Sequence, residues 1–503
     1  MNKLYNYFDK LRTPSAQVIV LIILTIFMIL SVAIYNYNQY GSDDFFNHAA
    51  VVNELKFNLL HPRHPFWGTD ESTVYFTPYN VGLALFAKIS NLSAVDTMLV
   101  FSLFNTFMIF LCLYLFVKAY KKSFSILIPL VLLFLWGSKL SFVFYSFRIF
   151  PRGASYHLMF SLWVILLSFY ICLRAPKYYF IILPFLSAIA IISQPITIFF
   201  SIFGILIMLW KRYDSWRKIV KIAIYYGIAL IILLYLWPYY PFFNIVKGTT
   251  TNLTSWEGFF PLYNPIVIIK LIWPLLLLIP FIWKGFWKEN KHLLILSSIL
   301  LIPYLLFAPK NSELTGRGMT YILFLFQIAI ASSLSDKIKG KSKISYLLII
   351  FISIIMLYNI AYGTNSVMKR DNSWIRDVKE EVQIAARHIN HYDIVITDKQ
   401  TAYYMLGYSG KVLATVFAER INKDGRDAVD DLKIIYDLKT TNEERKTIMK
   451  NYNAKYILLN KDKCRFETGF TFTNTQPELI SEFKKLGDIV IEMDKLILFK
   501  LNI

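Results

Sequence analysis

Apolar runs of about twenty residues, long enough to cross a bilayer, recur along this chain as far as residue 362 and then stop. The first, VIVLIILTIFMILSVAI, covers residues 18–34. In hydrocarbon a backbone must satisfy its own N–H and C=O groups, so each run is confined to a helix. A chain of 503 residues that is 56% hydrophobic and 17% aromatic cannot hide so much apolar surface inside one soluble core. The class expected is therefore a polytopic α-helical membrane protein. About eleven spans are predicted by window length, at 15–35, 96–117, 123–142, 157–173, 178–192, 194–210, 219–237, 265–283, 292–308, 318–335 and 345–362. The first is too long for the apolar core of a secretory signal, and no small-residue cleavage pattern follows it, so it reads as a retained span.

The formal charge of +20 invites a nucleic-acid partner, but its placement argues against one. Segments 1–14, 118–122, 174–177, 211–221, 284–291 and 336–343 together hold 20 Lys/Arg against 4 Asp/Glu. The alternate segments, 36–95, 139–156, 237–264 and 309–317, hold 9 against 7. An excess of Lys and Arg on alternate loops is the signature of cytoplasmic loops. It puts the amino terminus in the cytoplasm and, with an odd number of spans, the carboxy-terminal residues outside. The protein is thus expected in the cell membrane, surrounded by lipid, with no nucleic acid. Ile-, Lys- and Asn-rich usage points to an AT-rich bacterial genome.

Two domains are expected: a membrane domain, 1–362, including the first external loop 36–95, and an extracytoplasmic α/β domain, 363–503. In the latter, apolar strands read at 394–396, 412–416, 456–459 and 489–499 alternate with helices at 375–389, 428–438, 443–451 and 478–486. Neither a GxGxxG nor a GxxxxGK run occurs, so nucleotide binding there has no support. Cys112 and Cys172 lie in spans and Cys464 in the tail, which offers no disulfide framework.

Chemistry is expected in the first external loop. Asp43 and Asp44 stand at the mouth of the first span, followed by His48, Asp70 and Glu71 in a stretch dense in aromatics and proline. Ionisable residues at a bilayer boundary usually mark function. Phe46, Ala50, Leu55 and Leu59 share a helical face over 45–60, and a second apolar stretch covers 81–89; Pro62, Pro65 and Pro78 would interrupt any helix. Two short helices on the membrane surface fit this pattern. One aspartate can cap the first of them, and the other can face a cleft.

An external carboxylate can act as general base toward a hydroxyl. If the donor is a sugar on a lipid phosphate, the leaving group needs positive charge rather than an acid. Arg148, Arg152, Lys310 and Arg317 supply that charge, and His157 opens the next span. Arginine binds two phosphate oxygens at once; the alternative is that these cations snorkel to lipid headgroups. Gln194 in ISQPIT either hydrogen-bonds a sugar or phosphate or satisfies backbone freed by Pro195. The loop carboxylates, Asp43 and Asp44 first, could also hold a hard divalent cation such as Mg or Mn; no cofactor is required by the pattern.

The SDD of Ser42–Asp44, the long loop and the late basic residue resemble the GT-C superfamily of integral-membrane glycosyltransferases. PRG at Arg152, SQPIT at Gln194 and ITDKQTAYYMLGYSGKVLA at 396–414 are similar to bacterial members, although the second motif there more often carries His. The resemblance implies a polyprenyl-phosphate-linked sugar donor, inversion at the anomeric carbon, and a glycan, lipid or protein acceptor outside the cytoplasm. It implies Asp43 or Asp44 as base or metal ligand, Asp70 or Glu71 as a second functional acid, and Arg317 on the donor phosphate. The rivals are a transporter or flippase, a polysaccharide polymerase or ligase, and a non-catalytic GT-C-like protein. Transporters place polar groups at the midplane, whereas here they cluster at the external ends of the spans.

Overall fold

The computed structural model describes residues 13–39, 45–71, 73–137, 143–174, 176–213, 215–243, 265–307, 312–338, 343–368, 373–415, 420–421, 425, 427–467, 470–473 and 477–502. The chain is a polytopic helical membrane protein with a small carboxy-terminal sheet. Seven described helices are long and apolar enough to cross a membrane, and the apolar helical segments Tyr179–Ser193 and Ile268–Trp283 are shorter.

Contacts divide the chain into two compact units: Met1–Asn36 with Phe101–Arg370, and Tyr37–Val100 with Asp371–Ile503. The sequence reading attaches the first loop to the membrane domain; the contacts group it with the carboxy-terminal residues instead.

The first unit is a helical bundle. It contains most of α1 (Pro14–Gln39) and of α4 (Ala94–Lys121), then α5 (Leu127–Phe134), α6 (Phe150–Gly153), α7 (His157–Arg174), α8 (Tyr179–Ser193), α9 (Ile198–Tyr213), α10 (Trp216–Tyr235), α11 (Pro265–Phe307), α12 (Ser312–Ile338) and α13 (Lys343–Met368). Its core runs from Leu21 and Met28 through Phe116, Ile165 and Ile205 to Leu325 and Ile352. Outward-facing positions are apolar too: Ile19, Ile23 and Leu30 on α1, and Ile350, Ile354 and Leu357 on α13, are more than half exposed. Apolar side chains covered by no protein along a whole helix are suited to lipid. Gly204 on α9 permits close packing, since a Cβ there would lie 2.2 Å from the Phe169 ring.

Three expected spans are corrected. Among its described residues the 123–142 span is helical only over α5, because the chain leaves the helix to approach α11: the Gly137 N–H donates to the Leu271 carbonyl at 2.8 Å. The spans at 265–283 and 292–308 are joined in one 43-residue helix, α11, with Lys284–Lys291 inside it rather than in a loop. Lys, Glu and Trp at these positions do not break a helix, and no proline lies between Pro280 and Pro303.

Several basic segments gather at one end of this bundle. A cleft of about 400 Å³ is lined by Tyr120, Lys121, Lys122, Glu289 and Asp336. Lys121 pairs with Glu289 at 3.4 Å, and Lys211 lies over the Tyr120 ring. Tyr213 bonds Tyr179 and Lys291 lies near Trp210, so 118–122, 211–216, 284–291 and residue 336 share an end.

The second unit joins α2 (Phe45–Phe57) and α3 (Pro78–Ser90) to an α/β layer. Thr77 caps α3, accepting from the Asn80 N–H at 3.3 Å, and Pro78 supplies a preset φ at its first turn. The expectation of α2 as a membrane-surface helix is corrected: Phe45–Val52, Glu54 and Leu55 are all buried, leaving no broad polar face. The sheet has order β1 (Ile394–Ile396), β2 (Ala454–Asn460), β6 (Leu496–Leu501), β5 (Gly487–Glu492). β1 pairs parallel to β2; the other neighbours are antiparallel.

Helices α14 (Ser373–Ala386), α16 (Ala428–Tyr436), α17 (Asn442–Asn451) and α18 (Pro477–Lys484) fall where expected; α15 (Lys399–Met405) and the hairpin β3 (Lys463–Glu467)–β4 (Phe470–Thr473) are additions. The single strand read at 489–499 is a hairpin, because Met493–Lys495 turns and the Glu381 carboxylate accepts from the N–H groups of Lys495 and Leu496. Over the described part of 412–416, residues 412–415, no strand forms; Lys411 makes one isolated bridge to Ile394.

Candidate functional site

Asp43, Asp44 and Lys310 lie outside the described residues. Arg317 falls within α12, five residues beyond its start at Ser312. The other expected site residues divide between the two units.

In the helical unit, Arg148 follows the turn Val143–Phe147. The Ile149 and Phe150 N–H groups both donate to the Ser146 carbonyl, which directs the chain into the short helix α6. The Arg148 guanidinium lies 3.5 Å from the centroid of the Tyr362 ring on α13. A cation over an aromatic face gains about 0.5–2 kcal/mol. Among the described residues no carboxylate lies within ion-pair reach of it, and its buried Nε has no hydrogen-bond partner. The recess beside it, lined by Trp136, Ser146, Phe147 and Asn359, holds about 10 Å³. That is room for a single water, so an anion would have to sit on the outer edge of the guanidinium. Arg152, four residues on, is exposed.

His157 begins α7 and is partly buried. Gln194 is 4% exposed and breaks α8 with an extended backbone; its N–H donates to Ala190 and its carbonyl accepts from Thr197. The Thr197 hydroxyl lies in donor reach of the Gln194 carbonyl at 2.8 Å and of the Ala190 carbonyl at 3.3 Å.

In the second unit, Asp70 and Glu71 are exposed. Asp70 pairs with Arg63 at 3.3 Å, and Glu71 accepts from the Thr69 hydroxyl at 3.4 Å. His48 is buried with its ring edge-on to Tyr75. His64 stacks on Trp67 at 4.6 Å. Burial, then the charge of Lys411, brings its imidazole down to about 4, so it is neutral at ordinary pH. Among the described residues no group of three His, Cys, Asp or Glu is placed to hold a metal ion.

The densest polar cluster was not anticipated. Glu54 on α2, fully buried, accepts from Lys411 Nζ at 2.7 Å and from His391 Nε2 at 2.7 Å on one oxygen. Its other oxygen accepts from the Arg63 N–H at 2.8 Å and the Tyr392 hydroxyl at 3.1 Å. Lys411, 1% exposed, also donates to the Pro65 carbonyl at 3.1 Å. Burial alone would raise the Glu54 carboxyl; the hydrogen bond from His391 and the charge and hydrogen bond of Lys411 outweigh it and hold it at about 2. Burial pushes Lys411 and His391 down from their ordinary values, with Glu54 opposing in both cases. The sequence carried a signal: Glu54 lies four residues after Ala50 and eight after Phe46, on the apolar stripe of the helix.

No protein-family model matches the sequence, and no curated protein matches it. Solved structures do. The oligosaccharyltransferase of Archaeoglobus fulgidus in its apo form superposes with a TM-score of 0.51 at 10% identity, over 90% of this chain and 70% of that one. The archaeal oligosaccharyltransferase AglB from the same organism, in complex with an inhibitory peptide and a dolichol-phosphate, gives 0.51 at 11% identity, over 87% and 69%. The Archaeoglobus enzyme tethered to an acceptor peptide containing an NVT sequon gives 0.50 at 12% identity, over 90% and 70%. The chain thus shares the fold of these archaeal membrane proteins.

Proposed function

We propose that this chain is a membrane glycosyltransferase that moves a sugar from a polyprenyl-phosphate carrier to a hydroxyl of a glycan, lipid or protein outside the cytoplasm. Asp43 or Asp44 takes the proton of the acceptor hydroxyl as its oxygen attacks the anomeric carbon from the face opposite the phosphate. The bond from that carbon to the phosphate oxygen breaks, the configuration inverts, and the phosphate leaves with the electron pair. Positive charge lowers the barrier most where the negative charge grows. Arg148 fills that role with Arg152, Lys310 and Arg317, while Asp70, Glu71, His48, His157 and Gln194 are left for the sugar and acceptor.

The observation that supports the reading best is Arg148. A guanidinium held over Tyr362 with a buried Nε and no carboxylate within ion-pair reach among the described residues has its charge available to an anion. It stands in a bundle whose fold is shared with enzymes of the same reaction class. The gathering of the basic segments at one bundle end agrees with a cytoplasmic face there. The site and the carboxy-terminal unit would then be extracytoplasmic.

The test is mass spectrometry of polyprenyl-phosphate lipids from cells lacking the gene, complemented with wild type or with the Asp43→Asn/Asp44→Asn double variant. A sugar-charged lipid should accumulate in the deletion and the variant and clear with wild type, and its mass would name the sugar. Clearance by the variant would remove the base assignment. No accumulation in the deletion would remove the transferase reading in favour of transport.

A further inference from the structure

Between α8, α9 and α10 runs a groove of about 470 Å³. Tyr179, Phe180 and Leu183 of α8, Leu209 of α9, and Ile224 and Tyr225 of α10 form its apolar wall. Phe180, Ile224 and Tyr225 are exposed in spite of their apolar surface. Behind them the three helices are tied together. The buried Tyr226 hydroxyl of α10 bonds to that of Ser187 on α8 at 2.9 Å, and Ser201 of α9 bonds to the same Ser187 at 3.1 Å. The groove therefore has a fixed floor.

One end of this groove is basic. Lys221 lines it, and Arg217 and Lys218 stand one turn earlier on α10. Residues 217, 221, 224, 225 and 228 recur at helical spacing, so Arg217 and Lys221 continue the face that Ile224, Tyr225 and Ile228 bring to the groove. All three cations are exposed, and none makes an ion pair among the described residues. At the same end, Trp216 stacks on Trp210 at 6.1 Å and the Tyr213 hydroxyl meets that of Tyr179 at 3.2 Å. Trp and Tyr rings gather at headgroup depth. Helix α10 is itself long and apolar enough to cross a membrane. The groove thus begins where lipid phosphates lie and runs from there along a span.

An apolar channel alone would accept any lipid tail. A channel headed by three cations without acidic partners among the described residues selects by headgroup, because each such cation near a membrane surface contributes about fivefold in affinity for anionic lipid. We propose that the groove between α8, α9 and α10 binds one anionic phospholipid. Its acyl chain lies along Leu183, Ile224 and Tyr225, and its phosphate accepts from Arg217, Lys218 and Lys221. This end of the bundle is the one that carries the basic segments, and anionic lipid is the species attracted to such a face. None of the residues assigned above to sugar transfer lies on α10, so the site stands whether or not the chain is a glycosyltransferase.

The test offers the full chain, in detergent, an equimolar mixture of phosphatidylglycerol, phosphatidylcholine and polyprenyl phosphate, and counts retained lipid by native mass spectrometry. Wild type should hold one phosphatidylglycerol in preference to phosphatidylcholine by about tenfold to a hundredfold. The triple variant Arg217→Gln/Lys218→Gln/Lys221→Gln should lose that preference. The triple variant Lys118→Gln/Lys122→Gln/Lys288→Gln removes as much charge from the same end outside the groove and should keep it. Ile224→Trp fills the groove without altering charge and should release the lipid while all three cations remain. Melting should hardly move in any of these variants, since each changes exposed side chains only. Four results overturn the proposal: equal retention of the two phospholipids, equal loss in the two triple variants, retention unaffected by Ile224→Trp, or displacement of phosphatidylglycerol by polyprenyl phosphate. The last would give the groove to an isoprenoid carrier instead.

Discussion

Arg148, partly buried, and Lys411, fully buried, are cations of the two different units, and they are treated in opposite ways. Lys411 is enclosed and paired: a carboxylate at 2.7 Å and a carbonyl at 3.1 Å accept from its ammonium, and the His391 ring stands 3.4 Å away. Arg148 rests on an aromatic face, with no carboxylate within ion-pair reach among the described residues and its Nε unpartnered. A charge with all its partners inside the protein belongs to the architecture. A charge held in place without them is available to a ligand, and its desolvation is tolerated for a gain made elsewhere. The two cations therefore should separate cleanly under mutation.

The largest effect is expected at Lys411. Lys411→Met leaves Glu54 buried and ionised with its main counter-charge gone. Removing one partner of a buried pair costs about 3–5 kcal/mol, so the second unit should melt well below wild type by circular dichroism or differential scanning. A wild-type melting curve for Lys411→Met would break the distinction at its strong end. Arg148→Ala should do the reverse. It removes no paired charge, so melting should hardly move, while transfer falls about a hundredfold to a thousandfold, the usual loss for one preorganised donor to a developing anion. Arg148→Lys should recover little, since a point charge replaces a planar fork that also lies on Tyr362. Equal loss of melting temperature for Arg148→Ala and Lys411→Met would reduce Arg148 to architecture.

The two regions also differ in how much of them could be read from the chain. Helices α1, α4, α7, α9 and α10 announce themselves because lipid demands an uninterrupted apolar run, and such a run has one reading. Breaks are harder. The chain departs from a helix at Gly137 in response to α11, a partner more than a hundred residues away. Conversely, the charges Lys284–Lys291 look like a loop although nothing in them forbids a helix. In the second unit Glu54 could have been flagged from its place on the stripe of Phe46 and Ala50, but Lys411 and His391 could not. Those partners are separated from it by more than three hundred residues, and only the fold brings them together. The resemblance singles out Asp43, Asp44 and Arg317 from short motifs alone.

A smaller effect tests how tightly α2 is seated. Gly407→Ala would bring a methyl to 2.9 Å from Val95 and 3.0 Å from Phe46, both side chains that pack on all sides. Overpacking of this kind costs about 1–3 kcal/mol. The expected outcome is a lowered melting temperature of the second unit with more rapid exchange in the first turns of α2. The Arg148 region should be untouched, which a retained response of kcat to Arg148→Lys would show. If Gly407→Ala melts like wild type, the contact between Gly407 and α2 is looser than these distances indicate.

The smallest effect is set by pH, and its sign follows from protons. His64 is held at about 4 in the folded chain against an ordinary 6.5, by burial first and then by Lys411 and Arg420, with Glu54 opposing. Between those values the unfolded chain binds a proton that the folded one refuses, so stability is lost as pH falls from about 6.5 toward 4. His391, also pushed below its ordinary value by burial, adds to the same slope. Glu54 acts lower: its folded value of about 2 lies below the ordinary 4.5, so its contribution is present above pH 4.5 and fades only as pH falls toward 2. The melting temperature of the second unit should therefore decline by a few degrees, at about 2–8 °C per kcal/mol depending on unit size, before the carboxylate begins to titrate. His64→Phe keeps the ring stacked on Trp67 and cannot take a proton, so it should flatten the part of the slope that His391 does not supply. A slope left unchanged by His64→Phe and abolished by His391→Phe would place the whole titration on the cluster of Glu54, Lys411 and His391.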